Sequence, residues 1–140
     1  MAYKFEQLEV WQLALEYVDL IYALGERLPR AEEYNLKSQM ARAATSIALN
    51  IAEGSTSQSD AEQARFLGFA LRSLIETVAC QHLIHRRRYL ADPQLLRDAY
   101  QASERLFAKL QAFRASLVGK KDARCREEPA AYDYDHPLPF

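Results

Sequence analysis

The chain has 140 residues, 49% of them apolar and 26% charged, with a formal net charge of −1. That balance excludes a wholly disordered or collagen-like chain, and four glycines with five prolines are too few for a barrel or sandwich built on many tight turns. Near-neutral charge argues against a surface that is wholly a footprint for nucleic acid; no apolar run approaches the ~18 residues of a membrane span; and two cysteines, Cys80 and Cys125, fit a reduced cytoplasmic protein rather than a disulfide scaffold.

In chain order, Leu8, Trp11, Leu15, Val18 and Tyr22 recur at steps of three or four, with Ala14, Ile21 and Leu28 widening the stripe. This predicts an amphipathic helix ended by Pro29, which lacks the backbone donor and clashes with the preceding turn. Residues 30–34 read as a connection. A second helix is predicted from Asn35 to Glu53, burying Leu36, Met40, Ala43, Ala44, Ile47 and Ile51, with Gly54 as a left-handed C-terminal residue. Ser59-Asp60-Ala61-Glu62 reads as a capping box opening a third helix. That helix carries Phe66, Leu67, Ala70, Leu71, Leu74, Val78 and Leu83 and is expected to end near Ala91. Asp92 as cap and Pro93 at the first helical position start a fourth, with Leu96, Ala99, Leu106, Leu110, Phe113 and Leu117 inward and a stop at Gly119.

Four helices with short links predict an all-α, antiparallel up-down four-helix bundle over residues 1–119, followed by an irregular C-terminal tail at 120–140. The tail carries Tyr132, Tyr134, Leu138 and Phe140 without helical period; these are expected to dock on a neighbouring copy, with packing back onto their own bundle as the alternative. Charge is split along the chain: −3 over residues 1–59, +3 over 60–119 and −1 over 120–140. Halves of opposite sign can attract each other within a chain or between copies.

Catalytic motifs are sought and not found. A di-iron bundle needs Glu-x-x-His on two helices, and the residues three before His82, His85 and His136 are Ala79, His82 and Asp133. Cys80, His82 and His85 are the nearest approach to a ligand cluster, but Cys80 is rotated away on a helix and closed zinc sites want four ligands. There is no phosphate-binding glycine loop, no nucleophile elbow and no Cys-x-x-Cys, so neither a metal nor a cofactor is expected.

Two polar features remain. Gln39, Ser46, Asn50 and Glu53, echoed by Ser73 and Glu76, fall at helical spacing beside the apolar stripes. Polar groups at a helix seam must pair with one another, which fixes helix register, or line a ligand site. Arg86-Arg87-Arg88 lies near the end of the third helix. There it complements the negative end of the helix dipole, or serves as a patch for phosphate contacts.

The stretch from Phe5 to about Glu76 resembles the bacterial four-helix-bundle proteins known as large-subunit rRNA intervening-sequence proteins, to which the accessory protein of diversity-generating retroelements is related. The resemblance rests on Leu8-x-Val10-Trp11-Gln12-x-Ala14, Ile21-Tyr22 and Pro29-x-x-Glu32-x-Tyr34-x-Leu36-x-x-Gln39. Its most specific run is Ser46-Ile47-x-x-Asn50-Ile51-Ala52-Glu53-Gly54, followed by Arg65-Phe66-Leu67 and Ala70-x-x-Ser73-Leu74-x-Glu76. The family pattern has glycine where Arg72 stands. The resemblance implies an antiparallel bundle assembled into a ring, with a homopentamer as the family's best-known arrangement.

The expected function is thus a non-enzymatic, self-assembling cytoplasmic scaffold. Its partners would be copies of itself, RNA or DNA bound at Arg86, Arg87 and Arg88, and a nucleic-acid-processing protein; no membrane is involved. The alternative is a small-ligand protein or enzyme using the seam around Asn50, Glu53 and Glu76.

Overall fold

The structure, a computed structural model, describes residues 2–119 and 136–140. Among these residues it is all helical: α1 spans Glu9–Glu26, α2 Leu36–Gly54, α3 Asp60–Arg86 and α4 Gln94–Leu117, with short 3-10 turns at Lys4–Gln7 and Arg30–Glu32. Each helix packs on two neighbours: α1 on α2 and α4, and α3 on α2 and α4. Gly25 lies against Lys37 and Tyr22 reaches Thr45, so α1 and α2 run antiparallel. Gly54 meets Phe66 while Ser46 meets Ser73, and Ala64 meets Arg114 while His82 meets Tyr100. The same reversal therefore holds at α2–α3 and α3–α4, giving the up-down bundle.

Local chemistry sets most of the boundaries. The Ser59 hydroxyl accepts from the Glu62 amide at 3.1 Å, which is the N-cap half of the expected capping box; among the described residues the Glu62 side chain makes no return bond to the Ser59 amide. Asp92 Oδ1 accepts from the Gln94 amide at 3.0 Å, although the regular helix starts one residue beyond Pro93. The third helix ends at Arg86, five residues before the expected Ala91. It stops in a Schellman turn, with the Arg88 amide on the His85 carbonyl (3.0 Å) and the Tyr89 amide on the Ile84 carbonyl (3.4 Å). Arg88 takes the left-handed position of that turn, φ 57°, where glycine is the usual residue.

The core corrects three sequence expectations. On α1 the buried stripe is Val10, Ala14, Tyr17, Ile21 and Leu24, while Leu15 and Tyr22 of the expected stripe are 39% and 50% exposed. The two stripes share the same spacing, and only the positions of α2 and α4 select between them. On α3 Leu83 is 52% exposed, because it lies outside the arc covered by α2 and α4. Gly54 is helical, and no described glycine has positive φ. Its lack of a side chain serves close approach: a Cβ there would stand 2.9 Å from Phe66 Cβ.

Candidate functional site

The outer edge of the expected α1 stripe forms an apolar face. Trp11 and Val18 are half-buried, Leu15 and Tyr22 are exposed, and Leu49 on α2 is 55% exposed. Tyr22 Oη lies 3.5 Å from Thr45 Oγ1, tying the two helices across this face. Phe5 stacks edge-on against Trp11 at 4.7 Å and closes its upper end. α1 carries Glu9, Glu16, Asp19 and Glu26 and no Lys or Arg. Glu9 pairs with Lys109 and Glu26 with Lys37, so Glu16 and Asp19 supply the open negative charge. Lys37 also bonds Glu33, and that bond raises its pKa.

A second apolar surface lies on α3, where Ile75 and Leu83 are 53% and 52% exposed. Arg72 is one turn from Ile75 and Arg86 one turn from Leu83, while the exposed Glu76 lies one turn from Arg72 and two from Leu83, so this surface carries both signs with arginine in excess. Arg72 is exposed. With Arg65 and Arg114 it borders a hollow of ≈ 540 Å³ over Gly68. Arg114 Nε donates to the Ala64 carbonyl at 3.2 Å, and Arg65 lies over the Phe69 ring at 5.4 Å.

Arg86, Arg87 and Arg88 are all exposed at the end of α3. None forms an ion pair with a carboxylate among the described residues. A side chain on the left-handed Arg88 costs about 1 kcal/mol relative to glycine.

The seam separates into two groups. Asn50 Nδ2 donates to the Ser46 carbonyl (2.8 Å) and to Ser46 Oγ (3.0 Å), and Ser73 Oγ donates to Ser46 Oγ (3.0 Å). These three side chains pair across α2 and α3. Gln39 Nε2 donates to Asn35 Oδ1 at 3.3 Å while lining one hollow with Ser46, Ser73 and Glu76, and Gln39, Glu53 and Glu76 are exposed. A hollow of ≈ 500 Å³ lies over Ser46, Ser73 and Glu76, and another of ≈ 440 Å³ over Asn50 and Glu53. Both are concavities on the outer face of α2, on either side of Arg42. Among the described residues no group of three His, Cys, Asp or Glu side chains is placed to hold a metal.

The end of the chain returns to the groove between α3 and α4. The Phe140 ring sits among His82, His85 and Tyr100, with centroids 5.1, 5.0 and 5.6 Å away. Arg97 Nη1 donates to the Phe140 main-chain oxygen at 3.0 Å, and His136 Nε2 lies 3.2 Å from Glu104 Oε2. Burial and, after it, the nearby Glu104 charge raise the Tyr100 pKa. Phe140 thus takes the intrachain seat that was the alternative expectation for it; Leu138 is half-buried beside it, and Tyr132 and Tyr134 lie outside the described residues.

Sequence reasoning missed the centre of the bundle. Tyr17, Thr77 and Gln81 are fully buried. Gln81 Nε2 donates to Tyr17 Oη (2.7 Å), and Thr77 Oγ1 donates to the Leu74 carbonyl (2.6 Å). Thr77 has spent its proton, so the 2.7 Å contact between Tyr17 Oη and Thr77 Oγ1 has tyrosine as donor. The relay runs one way, from Gln81 through Tyr17 and Thr77 to the backbone. Burial, opposed by these hydrogen bonds, pushes the Tyr17 hydroxyl pKa far up. The available signal was Thr77 and Gln81 one turn apart, in line with Leu74 on the buried side of α3.

Among the described residues, no helix is long and apolar enough to cross a membrane. Comparison with curated proteins finds no match. A crystal structure of a protein of unknown function from the S23 ribosomal protein family of Bacteroides thetaiotaomicron superposes with a TM-score of 0.69 at 26% identity, covering 75% of this chain and 97% of that one. Residues 6–112, which take in all four helices as far as the last turns of α4, match the model of the 23S rRNA-intervening sequence protein family, and the chain belongs to that family.

Proposed function

We propose that this protein is a non-enzymatic, self-assembling helical scaffold whose copies join through unlike faces, with exposed arginines contacting nucleic-acid phosphates. One observation supports the assembly reading: among the described residues two separate apolar surfaces are left uncovered, and they differ in the balance of charge. The α1–α2 face presents Leu15, Tyr22 and Leu49 with Glu16, Asp19 and Glu53 against one arginine, Arg42; the α3 face presents Ile75 and Leu83 with Arg72 and Arg86 against one carboxylate, Glu76. Apolar contact between them removes surface from water at about 25 cal/mol per Å², and opposite charge sets the pairing. Contact between unlike faces is heterologous and closes into a ring when the rotation allows. The ring of five implied by the family resemblance is the specific form proposed. Light scattering coupled to size exclusion tests it: a multiple of 16.1 kDa is expected, and a single-chain mass throughout the micromolar range overturns it.

Arg86, Arg87 and Arg88 support the nucleic-acid half. They are exposed, without carboxylate partners among the described residues, and held in a turn that glycine would favour. A ring would repeat the triplet in every copy, so weak contacts would add as avidity. The family's description refers to 23S rRNA, so RNA is the first probe. Binding to unrelated RNA and DNA should weaken steeply between two salt concentrations and fall on replacing the three arginines by alanine. No binding at low salt, or binding indifferent to salt, overturns it. The small-ligand alternative has in its favour the ≈ 500 Å³ hollow beside Ser73 and Glu76. Against it, Asn50 Nδ2 and the Ser46 and Ser73 hydroxyls bond within one small network.

A further inference from the structure

The α3–α4 groove holds residues 136–140 through a small number of separable contacts. One ring enters an aromatic site made by His82, His85 and Tyr100; one main-chain oxygen meets Arg97; and one imidazole meets the Glu104 carboxylate, whose side chain is only 10% exposed. The walls of the groove belong to the bundle itself: His82 and His85 stand on α3, Arg97, Tyr100 and Glu104 on α4, and Phe140 packs against the core cluster between them.

The occupant shows what the groove selects. His136 and Phe140 are four residues apart, and Pro137 and Pro139 stand between them. Proline has no backbone N–H to leave unpaired and has its φ already restricted, so such a segment docks at low ordering cost. Glu104 asks for a cation, and the aromatic site one turn away on α4 asks for a ring. Sixteen residues separate Gly119 from His136. The segment therefore stays covalently joined to the bundle whether or not it occupies the groove, and an intramolecular occupant of this kind acts at an effective concentration of the order of millimolar.

We infer that this groove is a peptide-binding site in which residues 136–140 are a displaceable resident, and that its partner is a protein segment with an aromatic ring flanked by proline and a His, Lys or Arg four residues before the ring. The inference does not rest on the assembly reading. Its test is fluorescence anisotropy with a labelled, amidated peptide of the sequence of residues 134–140, titrated into the full chain and into full-length Phe140→Ala. The variant, with its site vacated, is expected to bind about tenfold more tightly than the wild type, where a resident at about millimolar effective concentration competes with a peptide of ~100 µM affinity. His136→Ala, which removes the contact with Glu104 and leaves the Phe140 ring in place, should fall between the two, and it keeps the comparison intact should Phe140→Ala lose helix content by circular dichroism. Adding Tyr100→Ala to either vacated variant should abolish binding. Equal affinity in wild type and variants, no binding to Phe140→Ala below about 1 mM, or binding indifferent to Tyr100→Ala overturns the inference. A mass that doubles in the wild type and not in Phe140→Ala would mean that a second copy donates the segment, which overturns the choice of partner. Failure here leaves the assembly mass unchanged, so the two readings fail separately.

Discussion

Removing the Tyr17 hydroxyl is the most informative perturbation of the core. Tyr17→Phe keeps the ring among its fully buried neighbours and deletes only Oη. Thr77 still donates to the Leu74 carbonyl at 2.6 Å. Gln81 Nε2 loses its 2.7 Å acceptor, and Gln81 Oε1 already lacks a hydrogen-bond partner among the described residues. A fully buried amide would then be stripped of its one side-chain bond. Stranding a buried donor costs about 1–3 kcal/mol, whereas removing both partners for apolar groups is close to neutral. Tyr17→Phe should therefore lose about 2 kcal/mol, or about 6 °C in Tm for a chain of this size. Gln81→Leu alone should change stability by less than about 1 kcal/mol, since it removes an unpartnered oxygen along with the donor. The double variant should be more stable than Tyr17→Phe by about 1 kcal/mol or more, a coupling that a double-mutant cycle in urea measures directly. Protomer concentration must be held constant, because assembly raises apparent stability. Strict additivity, or a Tyr17→Phe variant as stable as the wild type, would refute the relay as drawn.

Three further outcomes follow from particular contacts. Gly54→Ala places a Cβ 2.9 Å from Phe66 Cβ, and the overpacking of about 1–3 kcal/mol outweighs the ~1 kcal/mol gain in helix propensity, so thermal unfolding should shift downward. Arg88→Gly should raise stability by about 0.5–1 kcal/mol by relieving the left-handed position, while lowering affinity for RNA; a loss of stability would mean that the arginine side chain contributes contacts of its own. Burial, and after it the Glu76 charge, raises the Cys80 thiol above its ordinary pKa. Less of it is thiolate at pH 8 than in the unfolded chain, so peptide mapping after iodoacetamide should find Cys80 alkylated slowly in the native state and rapidly in urea.

Much of the fold could be read from the amino acids because helix ends depend on chemistry within a few residues. Ser59 finds Glu62 three positions on, and Asp92 finds Gln94 two positions on. The apolar steps of three and four along α2 and α4 likewise reappear as buried faces. The Arg86–Arg88 triplet and the Ser46–Asn50 pair were legible as candidates for the same reason. What lay beyond local reading involves partners distant in the chain. On α1, two apolar stripes share one period, and only the placement of α2 and α4 buries Tyr17 and leaves Tyr22 outside. The partners of Tyr17 are 60 and 64 residues away. Gly54 is required by the approach of Phe66 from the next helix, not by its own backbone angles. Phe140 finds His82, His85 and Tyr100 only because α3 and α4 form a groove for it. Periodicity says that a helix has an oily side; which side is hidden, and what meets it there, follows from how rods of fixed diameter can be packed together.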